Sequence, residues 1–352
     1  MTPEPVGSGV RWGAVMRLAG GGNLHVPRSW CAWFVRWGYG FEVVGSVTGG
    51  RAWVPPAVAL RPFGGLLLSM ATTGRTSAPP RDAREYADRR RALDDDIAAI
   101  WTRLPPELRA KFGLDGVRFG SAIALVARSL PTPFFNRLDN LGVYEPASEA
   151  LLDEALAFQG DQGIPFSVGV HPAAQPHSLA DWLAARGLHG VAFRLVSFWR
   201  GAEPTPNAPS VRVEEVMPEL QKDFVRVVAA GFGLPEETHP VFEESTRLEG
   251  FRSYLAFDDN GEPAGGAQLI LRGSTAYLAS ASTLPAYRGH GVQTALLARR
   301  INDAIEAGVT DLFVDTAPDS AERPNPSYRN VVRAGFRPVI EVPYFMGAAV
   351  VG

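Results

Sequence analysis

The chain has 352 residues, of which 46% are hydrophobic and 20% are charged, and its formal net charge at pH 7 is −3. This length is sufficient for two domains, and the composition is that of an ordinary globular protein. The small negative charge gives no electrostatic reason to expect binding to nucleic acid or to an anionic membrane. The single cysteine, Cys31, excludes a disulfide framework and a cysteine-rich metal site within the chain. No apolar run approaches the ~18 residues of a membrane span, so we expect a soluble, cytoplasmic protein.

Residues 1–69 differ in composition from the rest of the chain. They contain five of the eight tryptophans and only two acidic residues, Glu4 and Glu42, and no helical or strand periodicity persists in them. One hypothesis is that this irregular segment is an upstream extension and that the natural start is Met70. The alternative is a genuine accessory subdomain. Intact-mass measurement of the native protein distinguishes the two, because a mass that begins at Met1 refutes the first.

From Asp82 onward, apolar residues recur at helical and strand spacings. In the first half this pattern predicts helices at 84–104, 148–159 and 179–185, and strands at 121–127, 136–143, 166–170 and 191–199. The three arginines at 89–91 and the three aspartates at 94–96 lie in the first helix, and the simplest interpretation is a solvated face. Residues 201–209 are rich in proline and small residues, which is typical of a linker.

The second half follows the same pattern of alternating helices and strands. The predicted strands are 211–216, 253–257, 265–271, 275–283, 311–315 and 337–345, and the predicted helices are 219–231, 241–248, one that ends near 307, and 327–334. The order of helix, glycine, strand, proline, helix and strand in the first half recurs at the end of the second. Repetition at ~150 residues argues for two domains of one fold. We therefore predict domains at 70–200 and 210–352.

The most informative segment joins the strand 275–283 to the helix that follows it, and it reads Tyr287-Arg288-Gly289-His290-Gly291-Val292-Gln293-Thr294. Glycines let the backbone turn tightly, and the start of the helix adds unpaired N–H groups and the positive end of its dipole. Such a corner is suited to phosphate, and an arginine at its front can bind two oxygens of a diphosphate. A Walker loop and a three-glycine dinucleotide fingerprint are both excluded by the sequence. An ordinary glycine turn is the remaining alternative.

This corner resembles the pyrophosphate loop of the GNAT acetyltransferase superfamily, whose pattern is Gln/Arg-x-x-Gly-x-Gly/Ala. Residues 211–345 follow the GNAT order of elements, including the Ala334-Gly335-Phe336 ending of the short helix. The first half resembles a truncated copy, with Tyr144-Glu145-Pro146-Ala147 where the second half has Arg288-Gly289-His290-Gly291. A carboxylate and a proline cannot replace those amides and that arginine. The chain is thus similar to the tandem GNAT proteins known from bacteria, with a degenerate first copy.

The resemblance implies an α/β (mixed α+β) fold of two GNAT-like domains, each a mixed, mostly antiparallel sheet flanked by helices. It further implies that the fourth and fifth strands of the second copy separate, so that the pantetheine arm of acetyl-CoA enters between them. The implied cofactor contacts are the main chain of Ala281, Ser282 and Thr283, the loop residues Arg288, Gly289, His290, Gly291, Val292, Gln293 and Thr294, and Asn330 on the short helix. The acceptor amine would then attack the thioester directly.

Two departures from the family pattern concern the catalytic groups. Gln293 occupies the position usually held by Gly or Ala, and Val331 occupies a position at which the family often carries a tyrosine that protonates the leaving thiolate. Tyr328, about one turn earlier, is a candidate substitute, with packing as the alternative. Asp315, at the end of the fifth strand, is a candidate base, with a capping or turn role as the alternative. The histidines do not share a face with metal-ligand spacing, so no metal site is predicted.

The leading functional prediction is therefore an N-acetyltransferase that moves an acetyl group from acetyl-CoA to an amine of a small molecule or peptide. One alternative is a non-catalytic acyl-CoA-binding or regulatory module that kept the loop, for which Val331 is the supporting feature. Another is transfer of a different acyl group. The pattern is compatible with either a monomer or a homodimer.

Overall fold

The computed structural model describes residues 77–206 and 211–347, together with three short strands that precede them. These strands, β1 (Ala14–Arg17), β2 (Asn23–Val26) and β3 (Glu42–Val43), pair antiparallel in the order β2–β1–β3. The hypothesis of a natural start at Met70 falls on residues outside the described part, and it stays a prediction.

In residues 77–206 and 211–347, all strands belong to one sheet of eleven. They are β4 (Leu114–Phe119), β5 (Ala122–Ala127), β6 (Arg137–Asp139), β7 (Phe166–Gly169), β8 (Val191–Gly201), β9 (Arg212–Glu215), β10 (Phe251–Phe257), β11 (Pro263–Arg272), β12 (Thr275–Thr283), β13 (Asp311–Thr316) and β14 (Arg337–Gly347). The helices of the described residues are α1 (Ala83–Ala98), α2 (Ile100–Arg103), α3 (Pro106–Phe112), α4 (Glu149–Gly160), α5 (Leu179–Ala185), α6 (Gln221–Phe232), α7 (His239–Ser245), α8 (Val292–Glu306) and α9 (Pro326–Arg333).

The last strands of the two halves change places within this sheet. Its order is β4–β5–β6–β7–β14–β8–β13–β12–β11–β10–β9. Strand β8 ends the first half, yet it pairs antiparallel with β13 of the second half along the whole of β13. Strand β14 ends the second half, and its last residues pair with β7 of the first. Each half therefore completes the sheet of the other, while the predicted domain boundaries stay predictions.

The two faces of the second half are covered by different helices. Side chains that point to opposite faces alternate along each strand, so Leu269 and Leu312 pack with Leu296 of α8. On the other face, Ile270 and Phe313 pack with α1, and α6 lies close to Gly266. Strands β12 and β13 therefore lie between α8 on one face and α1 and α6 on the other.

The fold class predicted from the sequence is confirmed, but β1, β2, β3, α3 and β4 were not predicted, and two predicted elements were too long. The predicted strand 136–143 is reduced to β6, Arg137–Asp139. The predicted helix 84–104 ends at Ala98 and is followed by the short helix α2. Helix α3 has only seven residues, between Pro106 and a left-handed Gly113, which is too short to show a helical period. Strand β4 contains Asp115 and Gly116, residue types that are rare in strands.

Candidate functional site

The glycine corner before α8 exposes main-chain donors. Gly291 is the N-cap residue of α8, with φ 80°, and no side chain caps the helix. The first helical amide with a backbone acceptor is that of Ala295, which donates to the Gly291 carbonyl at 2.9 Å. The preceding amides of α8 lack an intrahelical partner, as at every helix start. The predicted residues Arg288, Gly289, His290, Gly291 and Thr294 are all exposed, and the Val292 side chain is buried.

One predicted donor of this corner is not available. The Arg288 amide donates to the Pro285 carbonyl at 3.4 Å, so only the amides after it remain for a ligand. The matching corner of the first half differs, because Ser148 caps α4 by accepting from the Leu151 amide at 3.1 Å. Glu145 accepts a hydrogen bond from the Ser121 amide beside that cap. These contacts support the prediction that the first copy lacks a phosphate site.

Gln293 connects the starts of α8 and α9. Its Nε2 donates to the Ser327 hydroxyl at 2.9 Å, and its Oε1 accepts from the side-chain Nδ2 of Asn330. Asn330 in turn accepts from Arg333. The long side chain at the usual Gly/Ala position is therefore directed towards α9. The side-chain amide that was predicted to contact the cofactor, that of Asn330, is held in this bridge.

Strands β12 and β13 separate beside this corner. They pair in parallel only from Thr275 with Asp311 to Tyr277 with Phe313. Beyond these residues β12 continues to Thr283 and β13 to Thr316 without pairing to each other. The separation implied by the GNAT resemblance is thus present. The predicted contact residues Ala281, Ser282 and Thr283 lie on the stretch of β12 that does not pair with β13.

A bulge in β12 lies on the same stretch. The register with β11 shifts after the pair Gln268 and Ala279, and Ser280 has a φ of 50°. A non-glycine residue in this region costs about 1 kcal/mol or more, so it persists only where its surroundings hold it. Arg300 of α8 provides such a hold, because its Nη1 donates to the Gln268 carbonyl at 2.9 Å and to the Ala279 carbonyl at 3.1 Å.

Arg300 is 1% exposed, and the Leu296 carbonyl accepts its remaining hydrogen bond, from Nε at 3.0 Å. Burial lowers the pKa of Arg300 to about 9, so the guanidinium stays charged at pH 7. Arg300 is not among the residues predicted from the sequence. The sequence does contain an indication of its role. Arg300 lies on the apolar stripe of α8 with Leu296 and Ala304, and a charged residue on a buried helix face indicates a specific hydrogen-bonding role.

Ser282 is fixed by close packing of α6. Its side chain is buried, and its hydroxyl donates to the Val227 carbonyl at 3.3 Å. A Cβ on Gly231 would lie 1.4 Å from the Ser282 Oγ, so only glycine lets the helix approach this closely. The contact sets the position of β12 beside the gap.

The candidate base Asp315 lies in a buried ion pair. Both of its oxygens accept from Arg90, at 2.7 Å each, and the Tyr277 hydroxyl donates to Oδ2 at 3.1 Å. Burial alone would raise the pKa of Asp315, but the Arg90 charge outweighs it and holds the pKa below its usual value. A carboxylate of low pKa is a weak base at neutral pH. The role of Asp315 as a base therefore stays a prediction, and the ion pair with Arg90 argues against it.

Arg90 itself corrects the sequence interpretation of its helix. The arginine run at 89–91 was predicted to be a solvated face, but only 9% of the Arg90 side chain is exposed. It also donates to Asp94 and to the Tyr86 hydroxyl, at 2.8 Å each. The prediction was wrong for Arg90 because helix α1 lies on the sheet, and a tertiary ion pair cannot be seen in a helical period.

The candidate acid Tyr328 packs against the core of the second half. Its ring meets Phe198 edge-on, with centroids 5.0 Å apart and planes at 75°. Val331, where the family often has its tyrosine, is 2% exposed and belongs to the same core. The packing alternative thus has direct support, and the acid role of Tyr328 stays a prediction.

Two further properties bear on what the site can bind. In the described residues, no three His, Cys, Asp or Glu side chains are grouped so that they could hold a metal ion. None of the helices in 77–206 and 211–347 has the length and apolar character needed to cross a membrane.

Comparison with known proteins agrees with this geometry. Residues 213–325 match the model of the Acetyltransferase (GNAT) family, and no curated protein matches the chain. A tandem GNAT protein from the clavulanic acid biosynthesis pathway is 17% identical, with a TM-score of 0.51, over 80% of this chain and 91% of that one.

Two GCN5-related N-acetyltransferases are also similar. The one from Sphaerobacter thermophilus is 16% identical, with a TM-score of 0.49, over 77% of this chain and 94% of its own. The one from Kribbella flavida is 18% identical, with a TM-score of 0.47, over 72% of this chain and 96% of its own. The family model thus identifies residues 213–325 as a GNAT acetyltransferase domain, and the similarity to the tandem GNAT protein is one of fold.

Proposed function

We propose that the protein is an acyltransferase that moves an acetyl group from acetyl-CoA to an amine. One observation carries the proposal: the uncapped start of α8 lies next to the gap between β12 and β13. Coenzyme A contains a diphosphate that is linked to a pantetheine arm. The start of α8 suits the diphosphate, and the adjacent gap between the strands suits the pantetheine arm. GNAT acetyltransferases use acetyl-CoA, which supports the choice of donor.

The corner would hold the diphosphate of the cofactor. The unpaired amides from Gly289 to Thr294 and the positive end of the α8 dipole favour an anion, and the exposed Arg288 side chain can add a bidentate contact. Acetyl-CoA supplies an activated acetyl group as a thioester. The main chain of Ala281, Ser282 and Thr283, which β13 leaves unpaired, would orient the pantetheine amides by strand-like hydrogen bonds.

The bulge in β12 is suited to stabilise the oxyanion that forms when the amine attacks. The turned backbone around Ser280 frees main-chain N–H groups from the regular ladder, and one such donor can contribute ~3 kcal/mol. The Arg300 charge behind the bulge adds a favourable field for negative charge, because a buried charge is weakly screened. Holding the amine against the thioester supplies much of the remaining acceleration.

A second candidate function is a non-catalytic acyl-CoA-binding or regulatory module. Val331 favours it, because this residue is buried in the core and cannot protonate a leaving thiolate. Release of a thiolate does not require an acid, since a thiol pKa of about 8.5 makes it a moderate leaving group near neutral pH. Thiol release from acetyl-CoA over a panel of amines separates the two, because the binding module would bind acetyl-CoA tightly and turn over no acceptor.

The phosphate corner is tested by Gly291→Glu, which places a carboxylate where the diphosphate would lie. We expect heat of acetyl-CoA binding in calorimetry for the unaltered protein and none for this variant. Gly291→Ala is the matched control, because it carries the same positive φ of 80° without the charge and should retain most of the affinity. Glu145→Gln alters the corresponding corner of the first half and should change nothing. Equal acetyl-CoA affinity in Gly291→Glu and Gly291→Ala would show that the corner is not the site.

A further inference from the structure

A cavity of about 120 Å³ lies on the α1 side of the sheet, opposite α8. Both halves of the chain line it. The first half contributes Asp139 and His171, the second contributes Tyr277 and Asp315, and helix α1 contributes Arg90 and Asp94. The cavity thus exists only where the two copies meet.

The position of the cavity relates it to the gap in the sheet. Tyr277 is the last residue of β12 that pairs with β13, and Asp315 lies just beyond the last paired residue of β13. Both side chains line the cavity, so it opens at the point where the two strands begin to separate. A thioester that entered the gap from the α8 side would therefore face this space from the opposite side.

The charged groups around the cavity do not balance. In the lining, two guanidinium groups, those of Arg90 and Arg137, face three carboxyl groups, those of Asp94, Asp139 and Asp315, so the acidic groups outnumber the basic ones by one. His171 does not correct this, because burial and the nearby arginines lower its pKa to about 4 and keep it neutral at pH 7.

One carboxylate oxygen in the cavity also lacks a hydrogen-bond donor. Asp139 accepts from Arg137 Nε at 2.6 Å through Oδ2, while its Oδ1 is buried and accepts no hydrogen bond of normal geometry, and the neutral hydroxyl of Tyr344 is its neighbour in the lining. A buried acceptor without a donor costs about 1–3 kcal/mol. The other two carboxylates differ, since Arg90 donates to both Asp94 and Asp315. An ammonium group at Asp139 would supply both the donor that Oδ1 lacks and a positive charge beside the more numerous carboxyl groups.

We propose that this cavity binds the acceptor, and that the acceptor is a small aliphatic amine whose ammonium group donates to Asp139. This rests on the proposed function and selects the small-molecule acceptor over the peptide. The size agrees, because a cavity of about 150 Å³ holds the six carbon atoms of benzene, so about 120 Å³ suits about five non-hydrogen atoms. The tyrosine rings of the lining add surfaces over which a cation is favoured.

The transfer step balances with such an acceptor. The ammonium loses one proton to become the attacking amine, the C–N bond forms as the C–S bond breaks, and the nitrogen then loses a second proton. The departing thiolate takes up one proton and solvent takes the other. The products are the N-acetyl amine and the free thiol.

The binding test uses the full chain without acetyl-CoA and three probes of similar shape: 3-aminopropan-1-ol, propane-1,3-diol and 3-hydroxypropanoate. Ligand-observed NMR titration gives the dissociation constants. We expect the amine to bind at least tenfold more tightly than the diol, and the acid not to bind. Asp139→Asn should weaken amine binding about tenfold. Asp115→Asn is the matched control, because Asp115 pairs with Arg109 in the same half but outside the cavity.

Equal binding of the amine and the diol, or unchanged amine affinity in Asp139→Asn, would overturn the assignment. Because these titrations contain no cofactor, they are independent of the phosphate corner. A protein that binds the amine but not acetyl-CoA would overturn the proposed function and leave the cavity as an amine-binding site without a transfer step. A protein that acetylates only peptides or anionic acceptors would do the reverse.

Discussion

Removal of the Arg90 guanidinium should destabilise the protein more than any surface substitution. Arg90 donates to both oxygens of Asp315 and to Asp94, and only 9% of its side chain is exposed. Arg90→Met keeps the length of the side chain but leaves two nearly buried carboxylates without their cation. Breaking a buried pair from one side costs about 3–5 kcal/mol. We expect a loss of that size in the free energy of unfolding at pH 7.

The loss should shrink as the pH falls. In the unaltered protein the folded-state pKa of Asp315 lies below its unfolded value, so its stabilising contribution is present above about pH 4 and is lost below it. Burial already raises the folded-state pKa of Asp94 in the unaltered protein. Without Arg90, burial dominates at Asp315 as well, so both carboxyl groups have folded-state pKa values above their unfolded values. The folded variant then binds more protons than the unfolded chain, so its stability decreases as the pH rises from about 4 towards 7.

Urea unfolding of the full chain, followed by tryptophan fluorescence at pH 5 and pH 7, measures both effects. Arg194→Met is the matched control, because Arg194 pairs with Glu341 on the surface with 47% and 45% of the side chains exposed, and should cost at most about 1 kcal/mol. The double variant Arg90→Met with Asp315→Asn should recover part of the loss, since it removes an unpaired charge. A loss below about 1 kcal/mol in Arg90→Met, or one that does not change with pH, would refute the reasoning.

Two further predictions concern the gap and the cavity. Gly231→Ala should destabilise the protein by about 1–3 kcal/mol and raise the KM for acetyl-CoA, because the new Cβ would overlap Ser282 and push α6 from β12; Gly190→Ala, which meets nothing within 4 Å, should do neither. The free energy of unfolding should decrease as the pH is lowered from 6.5 to 4, and His171→Asn should make this decrease smaller. In the unaltered protein the unfolded chain takes up a proton in that window and the folded protein, with a His171 pKa of about 4, does not, a difference of at most about 3 kcal/mol. A pH profile identical to that of the unaltered protein would contradict it.

Local features of the site could be predicted from the sequence because they depend on neighbouring residues. The glycine corner is a property of Gly289, Gly291 and the apolar period of α8, and the structure has it at the predicted place. The same holds for β12, whose bounds agree with the prediction at both ends. Hydrophobic period and turn chemistry determine such elements without reference to the rest of the fold.

Features that join distant segments could not be predicted in this way. The pair of Arg90 and Asp315 spans 225 residues, and the arginine run that contains Arg90 has the pattern of a solvent-facing helix. The exchange of β8 and β14 is invisible for the same reason, because both strands have the apolar pattern that either neighbour would require. Both features depend on contacts between segments that are distant in the sequence, and the local pattern of a single sequence does not show such contacts.

The exchange of strands gives the first copy a role that does not require a phosphate site of its own. Strand β13 is one wall of the gap. It is hydrogen-bonded along its whole length to β8 of the first half. The opposite wall, β12, is fixed by β11 and by Arg300. A gap between two strands keeps its width only if each is held from its outer side, and here the first half holds one of them. Loss of the glycine corner from the first copy therefore leaves the geometry of the second intact, whereas loss of β8 would remove a wall of the site.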